Sequence, residues 1–383
     1  MSKARWLLTA GASLFSASVS AQPLPTVADV NDAARAAMRE TGAKGLAIAV
    51  IDGGEVKHVA AFGARNAAGD PLTTDTIMYG ASLTKAVFGY RVAMLADKGK
   101  LDLDKPLAAL LSRPLPEYGN LDAFGNWGDL TGDERWRAIT PRMALNHATG
   151  FANFAFLEPD GKLRIHFTPG SRYAYSGEGI MLLQFALEEG LGTPVGYDLA
   201  SAVFTPLGMT RTSLSWRSDY AANLADGWKA DGAFELHDER SRARAAGSMD
   251  TTIADMARMT AAMARGWGLS GAGHAAFSRG TLPITTRSQF PTLQAEAPPD
   301  QRPAAKAALG VIAFDGQQGP GWFKGGHNDT TANTLVCLTA RQSCVVILSN
   351  DVRAEAAFPR LVRTILGDTG VPYGWEYPEP AGR

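Results

Sequence analysis

Strand-patterned stretches open this chain and close it, and a long helical block lies between them. GLAIAVIDGGEVKHVAAFGARN, beginning at Gly45, holds two apolar runs around Asp52-Gly53-Gly54, a hairpin signal. Further strand patterns appear only near Leu309 to Phe314, Gly321 to Lys324, Asn333 to Leu338 and Cys344 to Asn350. A lone hairpin is marginal in water, so the opening strands must join the closing ones. The expectation is an α+β fold: an antiparallel sheet formed by both chain ends and flanked by helices, with an inserted helical domain. The sheet part would take about 22–78 and 240–383, the helical part about 79–239. A cleft between the two parts is the natural place for a site.

Helical patterns run over Val27 to Thr41, from Leu83 to Gly99, over Thr252 to Arg265 and over Ala354 to Leu366. In the second, Val87, Tyr90, Met94 and Leu95 recur at three- and four-residue spacing, which predicts one buried face. The polar, proline-rich stretch Thr281 to Arg302 reads as a surface loop. The net charge of −1 over 383 residues offers no basic stripe, which excludes nucleic acid as a principal partner.

The first residues, MSKARWLLTAGASLFSASVSAQ, carry Lys3 and Arg5, an apolar run through Phe15, and Val19-Ser20-Ala21. This is the pattern of a signal peptide with Ala21 as the last residue removed, and it implies a periplasmic or secreted protein. The apolar run falls short of the roughly 20 residues a membrane span needs. In LVCLTARQSCVVIL a turn centred between Ala340 and Arg341 sets Cys337 opposite Cys344 across two strands. The pair forms a disulfide after export, or stays as two buried thiols.

Ser82 and Lys85, in YGASLTK, are three residues apart on the predicted helix and so share one side of it. A serine hydroxyl is a poor nucleophile until a base takes its proton, and a lysine serves as base only when burial or neighbouring charge keeps it neutral. The spacing alone arises readily by chance and needs company. A GxSxG elbow is not formed, because Thr84 stands where glycine is required.

The company consists of ALNHATGF at Ala144, FTPGSRYAYSGEGIMLLQ at Phe167, PLGMTRTSL at Pro206 and GSMDTTIADMARM at Gly247. Together with YGASLTK these segments resemble, in order, those of the β-lactamase-related serine hydrolases: class C β-lactamases, penicillin-binding D,D-peptidases and family VIII-type esterases. The resemblance implies a β-lactamase/transpeptidase-like fold and no cofactor. It implies Ser82 as nucleophile, Lys85 as its base and Tyr175 as the tyrosine that relays a proton, while His147 is structural. Gly177 stands where β-lactamase-like relatives carry asparagine, and the missing side chain is expected to open space beside Tyr175.

The third motif of such proteins, Lys-Thr-Gly or His-x-Gly on a strand, has two registers in WFKGGHNDTT. One begins at Lys324 and the other at His327. His327 is taken here, since strand alternation then points Lys324 and Gly326 away from the site. The stretch holds no His/Cys cluster with metal spacing. The chain is therefore expected to be an exported serine hydrolase forming an acyl-enzyme on Ser82, its partner a small-molecule ester, amide or peptide. Esterase, D,D-peptidase and β-lactamase are not separated by these residues. The rival from another class is a catalytically silent wall-binding or β-lactam-sensing protein.

Overall fold

The computed structural model describes residues 23–377. The predicted leader, 1–21, lies outside the described residues. Eight strands form one antiparallel sheet: β1 (Gly45–Asp52), β2 (Glu55–Gly63), β3 (Leu282–Pro283), β4 (Ala305–Ala307), β5 (Ile312–Gly316), β6 (Gly319–His327), β7 (Ala332–Leu338) and β8 (Ser343–Ser349). Their spatial order is β2-β1-β8-β7-β6-β5-β4-β3. The two chain ends meet where β1 pairs with β8, from Leu46 opposite Ser349 to Ile51 opposite Cys344. Gly53 and Gly54 turn the first hairpin at φ 60° and 73°, a conformation that favours glycine.

Both faces of the sheet are covered, which is why β1 reads as one unbroken apolar run. Leu46, Ile48 and Val50 pack against α1 (Val27–Thr41) and the helix Phe358–Leu366. Ala47, Ala49 and Ile51 pack on the other side, in the cluster that holds α2 (Leu83–Asp97) and the helix Ile253–Arg265. Cys337 faces Cys344 in the β7–β8 register, and a disulfide joins them.

Two expectations are corrected. Helix α2 does not bury one face: residues 83–90 and 92–95 are all buried. It runs between the sheet and the helical block, so its outer face meets protein where the spacing pattern had water. At Gly89 the fit leaves no room for a side chain, since a Cβ there would stand 2.2 Å from the Leu309 carbonyl oxygen. The stretch Thr281 to Arg302 is not merely a surface loop. It contributes edge strand β3 and buries Ile284, Thr286 and Gln289.

Candidate active site

Helix α2 enters from the two-residue strand Met78–Tyr79, which pairs with Asp250–Thr251. The Gly80 amide donates to the Met249 carbonyl at 2.8 Å, and Thr84 Oγ1 accepts from the Met249 amide at 3.2 Å. Ala81 takes φ 46°, an uncommon left-handed conformation for a residue with a Cβ. The sharp turn it makes places Ser82 at the N-terminal end of α2, on the wall of a cavity of ≈ 710 Å³.

Ser82 Oγ is the meeting point of two side chains. Lys85 Nζ lies 3.0 Å from it, and the Tyr175 hydroxyl donates to it at 2.8 Å. Lys85 is 1% exposed and also donates to the Ala246 carbonyl. Its burial pulls the ammonium below the ordinary lysine range, the nearby Lys324 cation pulls the same way, and Tyr175 opposes them. Ser82, Lys85 and Tyr175, singled out from the sequence, are thus brought together.

Tyr175 is held from several sides. The residue after it caps the helix Gly177–Leu191, with Ser176 Oγ accepting from the Gly179 amide at 3.0 Å. The His147 ring lies against the phenol ring, 4.4 Å between centroids, and His147 Nδ1 accepts from the Ser176 amide at 3.2 Å. Burial and the two lysine cations keep His147 well below the ordinary histidine range, so it is a neutral packing partner. The Lys85 and Lys324 ammonium groups lie 4.9 Å and 5.2 Å from the Tyr175 ring centroid.

Lys324 and His327 both line the cavity, and Lys324 does not point away from it as expected. Trp322 joins the core cluster on the α2 side of the sheet, and Phe323 joins the cluster on the opposite side. By alternation Lys324 and Gly326 face α2, and His327 does not. A Cβ on Gly326 would stand 3.0 Å from the Ser82 amide nitrogen, whereas His327 turns its Nδ1 to Glu355 Oε2 at 3.0 Å. Alternation says which residues share a face, not which face looks at Ser82. Residues 324–327 pair only with β7, because the β5 ladder ends at Phe323. This leaves a free strand edge along the cavity.

The space beside Tyr175 at Gly177 is not open either. A Cβ there would stand 2.3 Å from the Phe154 ring, which fills the place. Asn153, Phe154, Gln289, Phe290 and Glu376 also line the cavity. Sequence reasoning passed over all five, and none lies in a segment with a spacing signal. Phe154 alone had a cue, as part of the aromatic run FANFAF directly after the ATG turn. Among the described residues no three His, Cys, Asp or Glu side chains gather as a metal site, and no helix is long and apolar enough to cross a membrane.

The chain is 28% identical over 191 residues to esterase EstB of Burkholderia gladioli, a match covering 45% of this chain and 47% of the relative. The chain thus spans about half the length of that curated relative. The fold is shared with the octameric penicillin-binding protein homologue from Pyrococcus abyssi, at TM-score 0.70 and 17% identity over 91% of this chain and 79% of that one. It is also shared with D-alanine carboxypeptidase AmpC from Burkholderia cenocepacia, at TM-score 0.68 and 17% identity over 88% of this chain and 98% of the other. Residues 30–367 match the beta-lactamase family model, nearly the whole of the described chain, and the protein belongs to that family.

Proposed function

We propose that this protein is a serine hydrolase that cleaves carboxylic esters through an acyl-enzyme on Ser82. One observation carries the reading: Ser82 Oγ sits at hydrogen-bond distance from both a buried lysine and a tyrosine hydroxyl, at the wall of a cavity. Neutral Lys85 accepts the Ser82 proton as Oγ attacks the substrate carbonyl carbon. The backbone N–H of Ser82 donates to the developing oxyanion, and Gly326 leaves that amide uncovered. Tyr175 hands a proton to the departing alcohol and Lys85 restores it. Water then takes the place of the alcohol and frees the acid.

The buried Lys324, whose Nζ lies 5.2 Å from the Tyr175 ring centroid and whose titration burial lowers and Glu376 raises, takes the third-motif role in place of His327. Ester cleavage is favoured over peptide cleavage by the likeness to esterase EstB. The leader sequence supports action in the periplasm or outside the cell. Intact-mass analysis after treatment with a fluorophosphonate tests the proposal. One adduct is expected, mapping to Ser82 and absent in Ser82→Ala; an unmodified wild-type protein, or an adduct elsewhere, overturns it.

A further inference from the structure

Three arginines line the cavity on the stretch that leads into Ala246, the residue whose carbonyl holds Lys85. They are not in one state. Arg240 is paired with Asp238 at 3.6 Å and Asp250 at 3.5 Å, and it lies over the Tyr79 ring. Elsewhere on the cavity, His327 has Glu355. Arg242 and Arg244 form no ion pair among the described residues. Both instead donate to one oxygen, the Asp122 carbonyl, at 2.8 Å and 3.2 Å. That carbonyl stands in the turn between two short strands, Asn120–Leu121 and Gly125–Asn126. Glu239 is exposed on the same wall and pairs with neither. The buried Glu178, near enough to feel the Arg244 charge, accepts from the Ala155 amide instead.

A guanidinium carries five N–H donors, and each of these two uses one on the shared carbonyl. Most of their donors therefore have no partner among the described residues. Holding two cations on one oxygen also sets them close together, where like charges repel. An anion seated between them removes that repulsion and accepts charge-assisted hydrogen bonds, the arrangement for which the planar guanidinium suits carboxylate and phosphate. Because Asp122 holds both side chains beforehand, little ordering is left for the ligand to impose. Arg244 is two residues from Ala246, so the two Cα atoms lie within about 8 Å of each other.

We propose that Arg242 and Arg244 form an anion site that receives esters whose acyl group ends in a carboxylate, the monoesters of dicarboxylic acids. The assignment rests on the acyl-enzyme at Ser82 proposed above. Tyr175 gives its proton to the alcohol, so the alcohol leaves on the Tyr175 side of Ser82 Oγ. The acyl group then lies on the Lys85 side, from which residues 246, 244 and 242 lead away along the cavity. This wall is separate from β6, where Glu355 and Glu376 already stand beside His327 and Lys324.

The test compares the mono-p-nitrophenyl esters of adipic, suberic and sebacic acid with the same esters methylated at the free carboxyl. Each pair shares leaving group and acyl chain length, and only one member carries the charge. In the wild type kcat/KM should favour the anionic member by about 10-fold at one or more lengths, the lower range of a hydrogen bond to a charged group. The preference should shrink as KCl is raised. Arg242→Gln, at an exposed side chain, and Arg244→Gln should each reduce it by about 3-fold or more, and the double variant should abolish it, with the methylated esters turned over as before. No preference at any length, or one that survives the double variant or high salt, overturns the proposal. So does an equal dependence on the arginines when the anion sits on the alcohol, read from 3-carboxy-4-nitrophenyl butyrate against p-nitrophenyl butyrate. A binding measurement keeps the site apart from the chemistry. By calorimetry Ser82→Ala, which forms no acyl-enzyme, should bind monomethyl suberate more tightly than dimethyl suberate, and equal affinity would count against the arginine site. Failure of the wild type to take a fluorophosphonate would instead overturn the reading of Ser82, a separate result.

Discussion

Gly326 and Ser82 approach so closely that β6 and the start of α2 share one tight seam: a Cβ at 326 would lie 3.0 Å from the Ser82 nitrogen and 2.9 Å from that of Leu83. The Gly80 carbonyl closes the third side at 3.1 Å. All three neighbours are backbone, so none can swing aside. Gly326→Ala must therefore push the strand from the helix, moving the free edge of β6 relative to Ser82. A misplacement near 1 Å costs on the order of 100-fold. The expected outcome is a fall of about that size in kcat/KM on p-nitrophenyl acetate, with circular dichroism unchanged. Full activity in the variant would show that the seam does not set the geometry.

Much of this seam is legible in the sequence, and its unread part has a specific cause. Ser82 and Lys85 meet because helical spacing forces it, and the β1–β8 pairing follows from strands at both ends needing each other. The choice between Lys324 and His327 turns on which parity of β6 faces α2, and apolar residues on both sheet faces erase that signal. Phe154 filling the place of a side chain at Gly177 is a contact between segments more than twenty residues apart, which no local pattern encodes. Helix α2 misled for the same reason: amphipathic spacing reports burial against one neighbour, and this helix has neighbours all round.

Ser82→Ala separates chemistry from folding. Although Ser82 opens α2, its side chain makes no capping hydrogen bond, so the usual cost of about 1 kcal/mol for losing a cap does not apply. The substitution removes the oxygen that Lys85 and Tyr175 converge on. Stability in urea should stay within about 0.5 kcal/mol of wild type, while ester hydrolysis disappears. A destabilisation of several kcal/mol would mean that Ser82 is holding the fold rather than serving the cavity.

The disulfide lends itself to a direct measurement. Titration of the unfolded, unreduced protein should find no free thiol, since Cys337 and Cys344 are the only cysteines and are bonded to each other. The bridge closes a short loop, so a chain-entropy estimate gives about 2 to 3 kcal/mol, lost in the double variant Cys337→Ala/Cys344→Ala. Activity should survive, because the pair lies in the turn-proximal end of β7 and β8 and not among the cavity residues. Two titratable thiols in freshly isolated protein would count against the bridge.

The pH dependence tests the base. Lys85 must be neutral to take the Ser82 proton, so kcat/KM should rise with pH through the Lys85 titration and level off above it. Burial is the main force that lowers this titration from the ordinary lysine value, and the Lys324 cation lowers it further; Tyr175 and, more weakly, Glu376 raise it. Lys324→Met removes one of the two lowering forces, and like charges nearby are what disfavour a second ammonium. The rising limb should therefore move to higher pH in Lys324→Met, whatever happens to the plateau rate. Lys85→Arg should abolish the limb together with the activity, because a guanidinium does not give up its proton in a usable range. His147 adds no limb of its own, being held neutral by burial. Rates on an ester stable at alkaline pH, measured from the neutral range upward for all three proteins, give the answer. A limb that stays in place or moves downward in Lys324→Met would remove Lys85 as the group it reports.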